Sequence, residues 1–119
     1  MSHILLVEDN MDMQILLRDL LQWGGHQVMF GRTGQEGLEA LYNSQSIPEL
    51  IISDLTMPMM DGLELLQAVR QNPNWEHIRF IIMSANPHDE RLSTPEAIGL
   101  SGILPKPFSL DELNLLMRQ

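Results

Sequence analysis

The chain has 119 residues, with 16 acidic and seven basic side chains, a formal net charge of −9 and no cysteine. This length predicts one domain, and an apolar fraction of 44% is enough for a packed core. The negative charge argues against direct binding to nucleic acid or to an anionic membrane. The absence of cysteine excludes disulfides and fits the reducing cytoplasm, where we expect the protein. We see neither a signal-peptide pattern nor an apolar run of the ~18 residues that a membrane span needs.

Strand and helix patterns alternate five times along the chain, which is typical of a parallel sheet whose strands are connected by helices. The predicted strands are His3–Val7, Gln27–Phe30, Leu50–Ser53, Arg79–Met83 and Ile103–Leu104. Pro105 closes the fifth strand, and proline is tolerated at the edge of a sheet. The pattern therefore predicts a doubly wound, flavodoxin-like α/β fold of five parallel strands, with strand order 2-1-3-4-5.

Polar residues that precede apolar runs predict where the helices begin. We expect caps or capping boxes at Asn10, at Thr33 with Glu36, at Asp61, and at Ser109 with Glu112. The buried face of the first helix is predicted to consist of Met11, Ile15, Leu16, Leu20 and Leu21. The segment Asp89–Ile98 allows two predictions, because proline disrupts a helix interior but suits a helix start. Either one helix is interrupted at Pro95, or a helix begins with Thr94 as its cap and Pro95 as its first residue.

Three acidic residues and one lysine come directly after predicted strands. Glu8 and Asp9 follow the first strand, Asp54 follows the third and Lys106 follows the fifth. Because ligands of open α/β sheets bind beyond the carboxyl ends of the strands, we expect these side chains to meet at one place. Neighbouring carboxylates repel one another unless a cation lies among them. The pattern thus predicts a hard divalent cation, with a phosphoryl group as a plausible ligand beside it.

Each acidic residue alone is equally typical of a solvated turn, or of a helix start that favours negative charge. The string Asp54–Gly62 is more specific, because it combines an acid at a strand end, a loop fixed by proline and a helix opened by Asp-Gly. Ser84 after the fourth strand and the string Lys106–Phe108 after the fifth strand complete the set.

With these motifs the chain resembles a response-regulator receiver domain of two-component signalling over nearly its whole length. The resemblance implies that Asp54 accepts a phosphoryl group from a sensor histidine kinase or a phosphotransfer protein. It also implies Mg²⁺ as the cofactor, with Asp9 and Asp54 as ligands and Glu8 acting largely through water. The backbone carbonyl of Thr56 matches a further metal ligand of the family.

The resemblance also assigns roles at the fourth and fifth strands. Ser84 matches the switch hydroxyl that bonds to the phosphoryl group, and Lys106 matches the lysine that pairs with a phosphoryl oxygen. The family has a cis peptide bond at the position of Lys106–Pro107. Catalysis would then be confined to the gain and loss of the protein's own phosphoryl group, so the protein would not be a metabolic enzyme.

Two positions depart from the family pattern. Ile103 occupies a position where the family often has tyrosine or phenylalanine, so the aromatic part of the usual switch is absent. Pro95 falls within the family's fourth helix, so that helix is expected to be short, shifted or kinked. We expect residues 1–119 to form one receiver domain, either independent or cut from a longer regulator or hybrid kinase. We expect its signal to pass to an output partner or to a fused output domain.

Three alternatives share part of the pattern. A degenerate receiver would act only as a binding module, although all the expected site positions are present. A flavodoxin-like FMN carrier needs a phosphate-binding loop after the first strand, where Glu8 and Asp9 would repel a phosphate. A phosphatase of the haloacid-dehalogenase type would need a second acid two residues after Asp54, where this chain has Thr56.

Overall fold

The structure is a computed structural model that describes residues 3–118, and its centre is a parallel sheet of five strands. The strands are β1 (His3–Val7), β2 (Gln27–Gly31), β3 (Leu50–Asp54), β4 (Arg79–Ser84) and β5 (Gly102–Pro105). Their order in the sheet is β2-β1-β3-β4-β5, and every neighbouring pair is parallel. The predicted fold class and strand order are therefore confirmed, and each strand end lies within one residue of its predicted position.

Within residues 3–118, three α-helices and three short 3₁₀ segments lie between the strands, and a fourth α-helix follows β5. The α-helices are α1 (Met11–Trp23), α2 (Gly34–Asn43), α3 (Gly62–Gln71) and α4 (Leu110–Met117). The 3₁₀ segments are Pro73–Trp75, Glu90–Ser93 and Pro95–Ala97. No helix within residues 3–118 has the length and apolar character needed to cross a membrane.

The predicted helix starts are confirmed, with one correction at α2. Asn10 caps α1, and complete capping boxes form at Asp61 for α3 and at Ser109 for α4. At α2 the Thr33 hydroxyl accepts a hydrogen bond from the backbone N–H of Glu36, as a capping box requires. The Glu36 carboxylate, however, accepts from the backbone N–H of Arg32 instead of that of Thr33, so the predicted box is wrong in its second half.

Both faces of the sheet are covered, which explains why the strands are almost continuously apolar. One core cluster packs α2 and α3 against the sheet, and Phe80 and Trp75 are its largest buried side chains. Trp75 is only 5% exposed and makes an edge-on contact with Tyr42, whereas Trp23 at the end of α1 is 86% exposed. The second cluster packs α1 and α4 against the opposite face. The two clusters hold the sheet, and hence its carboxyl edge, in place.

The predicted buried face of α1 is largely wrong. Leu17 and Leu21 are the fully buried residues of this helix, whereas Met11, Ile15 and Leu16 are 51%, 42% and 48% exposed. The helix carries apolar side chains around most of its circumference, so their periodicity is compatible with more than one orientation. Packing against the sheet selects the face with Leu17 and Leu21, and it leaves an apolar stripe in solvent.

The segment between β4 and β5, all of which the structure describes, contains no α-helix. Of the two predictions, the one that begins a helix at Pro95 has the right starting residue but the wrong element, because Pro95 opens the 3₁₀ segment Pro95–Ala97. That segment ends after three residues, and Thr94 provides no side-chain cap. Proline lacks a backbone N–H and crowds the preceding turn, which prevents one continuous helix through Asp89–Ile98.

Candidate functional site

The candidate site lies at the carboxyl ends of β1, β3, β4 and β5. The register pairs Val7 with Ser53, Asp54 with Met83, and Ser84 with Pro105. Residues at or just beyond these strand ends therefore lie side by side, although they are far apart in the sequence. The structure brings Glu8, Asp9, Asp54, Ser84 and Lys106 to this edge of the sheet.

The three carboxylates form a compact cluster. Glu8, Asp9 and Asp54 each contribute one oxygen atom to a group in which all these oxygens lie within 4.8 Å of one another. Glu8 is 1% exposed and Asp54 is 7% exposed, whereas Asp9 faces solvent. Hard divalent cations prefer such oxygen ligands, and Mg²⁺ keeps several of its waters. A cluster with one open side therefore fits a partly hydrated Mg²⁺ ion.

The Lys106 ammonium binds two of these carboxylates. Its Nζ atom lies 3.1 Å from Glu8 Oε1 and also forms a close ion pair with Asp54 Oδ1. Burial lowers the pKa of Lys106, but hydrogen bonds and charge attraction from Asp54 and then Glu8 outweigh this effect, so that the pKa is raised. The ammonium is thus protonated at neutral pH and points at Asp54. A cis peptide bond joins Lys106 to Pro107, as the family resemblance implied.

Glu8 is the most strongly buried carboxyl group of the cluster. Burial raises the pKa of Glu8, and the neighbouring Asp54 carboxyl raises it further by a hydrogen bond and by charge repulsion. The backbone N–H of Asn10, 3.0 Å from Glu8 Oε2, and the Lys106 ammonium lower the pKa without cancelling the increase. The charged form of Glu8 is therefore less favourable than that of an exposed carboxylate, and positive charge bound nearby would favour it.

Ser84 lies at the site, but its hydroxyl is hydrogen-bonded within its own loop. The Oγ atom donates to the Asn86 carbonyl at 2.8 Å and accepts from the Asn86 backbone N–H at 3.1 Å. Ser84 also lines an open cavity of about 150 Å³ together with Asp54, Leu55, Thr56, Met83, Ala85 and Lys106. This volume is several times the ~30 Å³ that one water occupies in the liquid, so the cavity offers room for a small polyatomic group.

Sequence reasoning missed two residues that shape the site. Arg91 donates a hydrogen bond from Nη2 to Thr56 Oγ1 at 3.1 Å, on the side of the loop that faces solvent. No motif marks it, since a single arginine in a polar segment has no recognisable pattern. The second is Gly62, which the sequence marks only as the start of α3. Its backbone N–H bonds to the Leu55 carbonyl at 2.8 Å, and a Cβ atom there would collide with the Asp54 carbonyl oxygen.

Gly62→Ala is expected to destabilise the protein by about 1–3 kcal/mol, the usual cost of forcing extra atoms into a packed site. The added methyl group would meet backbone atoms, including Leu55 Cα at 3.1 Å, which cannot move aside as a side chain can. Urea unfolding measures the loss. Gly24→Ala is the control, because its nearest neighbour is the His26 ring, a side chain that can move. Equal stability of Gly62→Ala and wild type would contradict the close approach.

Comparison with known families agrees with this geometry. The model of the response regulator receiver domain family matches residues 4–118, so the chain belongs to this family of two-component signalling domains. A flavodoxin-like carrier and a dehalogenase-type phosphatase, both considered from the sequence, are not supported by this membership.

Two curated relatives and one solved structure illustrate the similarity. A probable chemotaxis protein CheY of Rhizobium etli is 34% identical over 111 residues, which cover 92% of this chain and 84% of that protein. The sensor histidine kinase TmoS of Ectopseudomonas mendocina is 36% identical over 110 residues, which are 92% of this chain but 11% of the kinase. The receiver domain of sensor histidine kinase PA1611 of Pseudomonas aeruginosa, crystallised with magnesium in its active site cleft, superposes with a TM-score of 0.86. It is 26% identical, and the match covers 98% of this chain and 95% of that domain.

Proposed function

We propose that this receiver domain is a phosphorylation-controlled switch that accepts a phosphoryl group on Asp54 from a histidine kinase or a phosphotransfer protein. One observation carries the proposal. Asp54 lines an open cavity, belongs to the acidic cluster that fits Mg²⁺, and forms an ion pair with the protonated Lys106. Phosphoryl transfer depends mainly on positioning and on charge neutralisation, and these groups provide both.

The transfer forms an acyl phosphate. An Asp54 carboxylate oxygen attacks the phosphorus, and the bond from phosphorus to the donor's leaving group breaks with its electron pair going to that group. The Lys106 ammonium is placed to offset negative charge on a phosphoryl oxygen in the transition state. Glu8, Asp9, Asp54 and the backbone carbonyl of Thr56 would hold Mg²⁺, which when bound neutralises further charge on the phosphoryl oxygens.

Ser84 is proposed to report the phosphorylated state. To bond to a phosphoryl oxygen on Asp54, its hydroxyl must give up the Asn86 carbonyl that it now contacts. That exchange would move the loop after β4. Ile103 is half-buried and has neither a ring to turn inward nor a hydroxyl to bond, so we expect the response to pass through this loop and the Pro95 region.

Phosphorylation is expected to change amide hydrogen exchange most strongly between Ser84 and Leu104. The protein is compared with and without a beryllofluoride mimic of the phosphoryl group, in the presence of Mg²⁺. Ser84→Ala is the matched variant, and it should still bind the mimic while showing a smaller change in that segment. If the changes in exchange were confined to Glu8–Asp9 and Asp54–Asp61, the proposed switch would be wrong.

An exposed apolar stripe on α1 supports a protein as the phosphodonor. Met11, Ile15 and Leu16 are half-exposed on α1, which begins one residue after the Asn10 cap and close to the acidic pair. A partner that presents a phosphohistidine must approach Asp54 and cover the surface beside it. We propose that the kinase or phosphotransfer protein packs on this stripe.

A further inference from the structure

The Arg91 side chain connects two loops at the rim of the site. It extends from the 3₁₀ segment after β4 to the loop of residues 55–61, which joins β3 to α3. Its Nη2 atom donates to Thr56 Oγ1 at 3.1 Å, and its Nη1 atom lies 3.9 Å from Asp61 Oδ2. Thr56 is near the start of that loop, and Asp61 is the cap of α3 at its end. One guanidinium group therefore contacts both ends of the loop that follows Asp54.

Arg91 is itself anchored by Asp89. Its Nε and Nη2 atoms donate to the two Asp89 oxygens at 3.1 and 3.0 Å, and its backbone N–H donates to Asp89 Oδ1 at 2.9 Å. Two-point contacts between guanidinium and carboxylate fix orientation as well as charge. The Arg91 side-chain hydrogen bond lowers the pKa of Asp89, so this carboxylate stays charged at neutral pH. Asp89 thus fixes the orientation of the Arg91 guanidinium plane.

Charge balance indicates what this arrangement can do. Arg91 faces two carboxylates, those of Asp89 and Asp61, so the three groups together carry one net negative charge. Such a group does not attract an anionic phosphodonor. Arg91 is therefore expected to affect the site by holding the loop of residues 55–61 in position and not by attracting the phosphodonor.

The loop of residues 55–61 contains a strained backbone conformation, so contacts from outside the loop are expected to stabilise it. Met59 has a φ of 69°, a left-handed conformation that is uncommon for residues other than glycine, and it is 90% exposed. Residues in such conformations persist when the surrounding structure holds them there. Thr56 lines the cavity beside Asp54, so any shift of the loop would also change the geometry around the carboxylate.

We propose that Arg91 is a positioning residue of the phosphorylation site, which holds the Thr56 end and the Asp61 end of the loop in the geometry that Mg²⁺ binding and phosphoryl transfer require. The inference rests on the proposed function for its phosphorylation arm. The predicted effect on Mg²⁺ binding is independent of that function, because Mg²⁺ affinity is measured in the absence of a phosphodonor.

The test compares Arg91→Gln with Arg18→Gln. Arg18 pairs with Asp19 at 3.1 Å on the solvent-facing side of α1, so it controls for the loss of one surface arginine. Mg²⁺ affinity is measured by calorimetry, and phosphorylation by acetyl phosphate is measured at saturating Mg²⁺. Arg91→Gln should weaken Mg²⁺ binding by about threefold to tenfold, which is the equivalent of roughly one hydrogen bond. It should lower the maximal phosphorylation rate more than it raises the half-saturating acetyl phosphate concentration. Arg18→Gln should match wild type in both.

Two further variants separate geometry from charge. Arg91→Lys keeps the charge but loses the two-point contact, so it should restore only part of the Mg²⁺ affinity and rate. Thr56→Val removes the hydroxyl acceptor, and its effect should largely vanish when Arg91 is already glutamine.

Each result decides between positioning and its alternatives. Wild-type Mg²⁺ affinity and rate in Arg91→Gln would overturn the inference, as would complete restoration by lysine or fully additive effects of Thr56→Val. If wild type itself took up no phosphoryl group, the proposed function would fail, while the Mg²⁺ titrations would still decide whether Arg91 positions the loop.

Discussion

Asp54→Asn is expected to abolish covalent incorporation of a phosphoryl group. The amide has nearly the same size as the carboxylate, so the fold should survive, but it has no anionic oxygen to attack phosphorus. Wild type, incubated with acetyl phosphate and Mg²⁺, should gain the mass of one phosphoryl group in intact-protein mass spectrometry. The product should be lost on treatment with hydroxylamine, as an acyl phosphate is.

Asp12→Asn provides the control for this experiment. Asp12 is an exposed acid in the first turn of α1, and its neutralisation should leave the mass gain unchanged. An undiminished mass gain in Asp54→Asn would show that another residue is the acceptor. Failure of wild type to gain mass would instead favour a degenerate receiver that works as a binding module.

Glu8→Gln is expected to raise the melting temperature of the metal-free protein at neutral pH. Burial, and then the Asp54 carboxyl, raise the pKa of Glu8 above its usual 4.5, so the buried charge is unfavourable once it forms. A shift of a few degrees is expected, since ~1 kcal/mol produces a change of this order in a small domain. Lys106 keeps Asp54 as its partner in the variant, so the ammonium is not left unpaired.

The pH dependence of this effect has a definite sign. A raised folded-state pKa means that the stability Glu8 contributes is fully present below the unfolded value of 4.5 and is lost as the pH rises through the folded-state pKa. Glutamine does not ionise, so the stability of Glu8→Gln does not fall in this way as the pH rises. The melting temperatures of Glu8→Gln and wild type in chelator should therefore be similar below pH 4.5 and diverge as the pH rises above it.

In saturating Mg²⁺ we expect wild type to melt at a higher temperature than Glu8→Gln, the reverse of their order in chelator. Bound to the folded state only, Mg²⁺ stabilises wild type by mass action, by ~2.7 kcal/mol at a concentration 100-fold above its dissociation constant. Glu8→Gln lacks one charge of the cluster and should gain less. Glu39→Gln, at an exposed position of α2, should behave as wild type throughout. A melting temperature of Glu8→Gln below that of wild type in chelator at neutral pH would contradict the argument.

The sequence was most informative where chain topology alone determines position. Glu8, Asp54 and Lys106 could be expected to meet because each follows a strand, and the ends of parallel strands converge whatever the side-chain packing. The start of α3 at Asp61 was equally accessible, since capping is a local interaction between neighbouring residues.

Features that depend on tertiary packing could not be predicted from the sequence in the same way. Both Leu16 and Leu17 fit an amphipathic pattern, and only the position of the sheet decides that Leu17 is buried. The carboxylate of Glu36 could have bonded to either of two adjacent backbone N–H groups, and it bonds to that of Arg32. The contact between Arg91 and Thr56 joins residues 35 positions apart through a bond between flexible side chains, for which no spacing rule exists.

The two indole rings give this protein a built-in optical probe of folding that is separate from its chemistry. Trp75 precedes β4 and therefore lies toward the amino ends of the strands, away from the acidic cluster, in a core that becomes wet only when the chain unfolds. Its emission should shift to longer wavelength on unfolding, while Trp23, already in water, contributes a nearly constant background. Fluorescence should therefore record thermal melting curves faithfully at any Mg²⁺ concentration, yet change little when the ion is titrated into the folded protein at constant temperature.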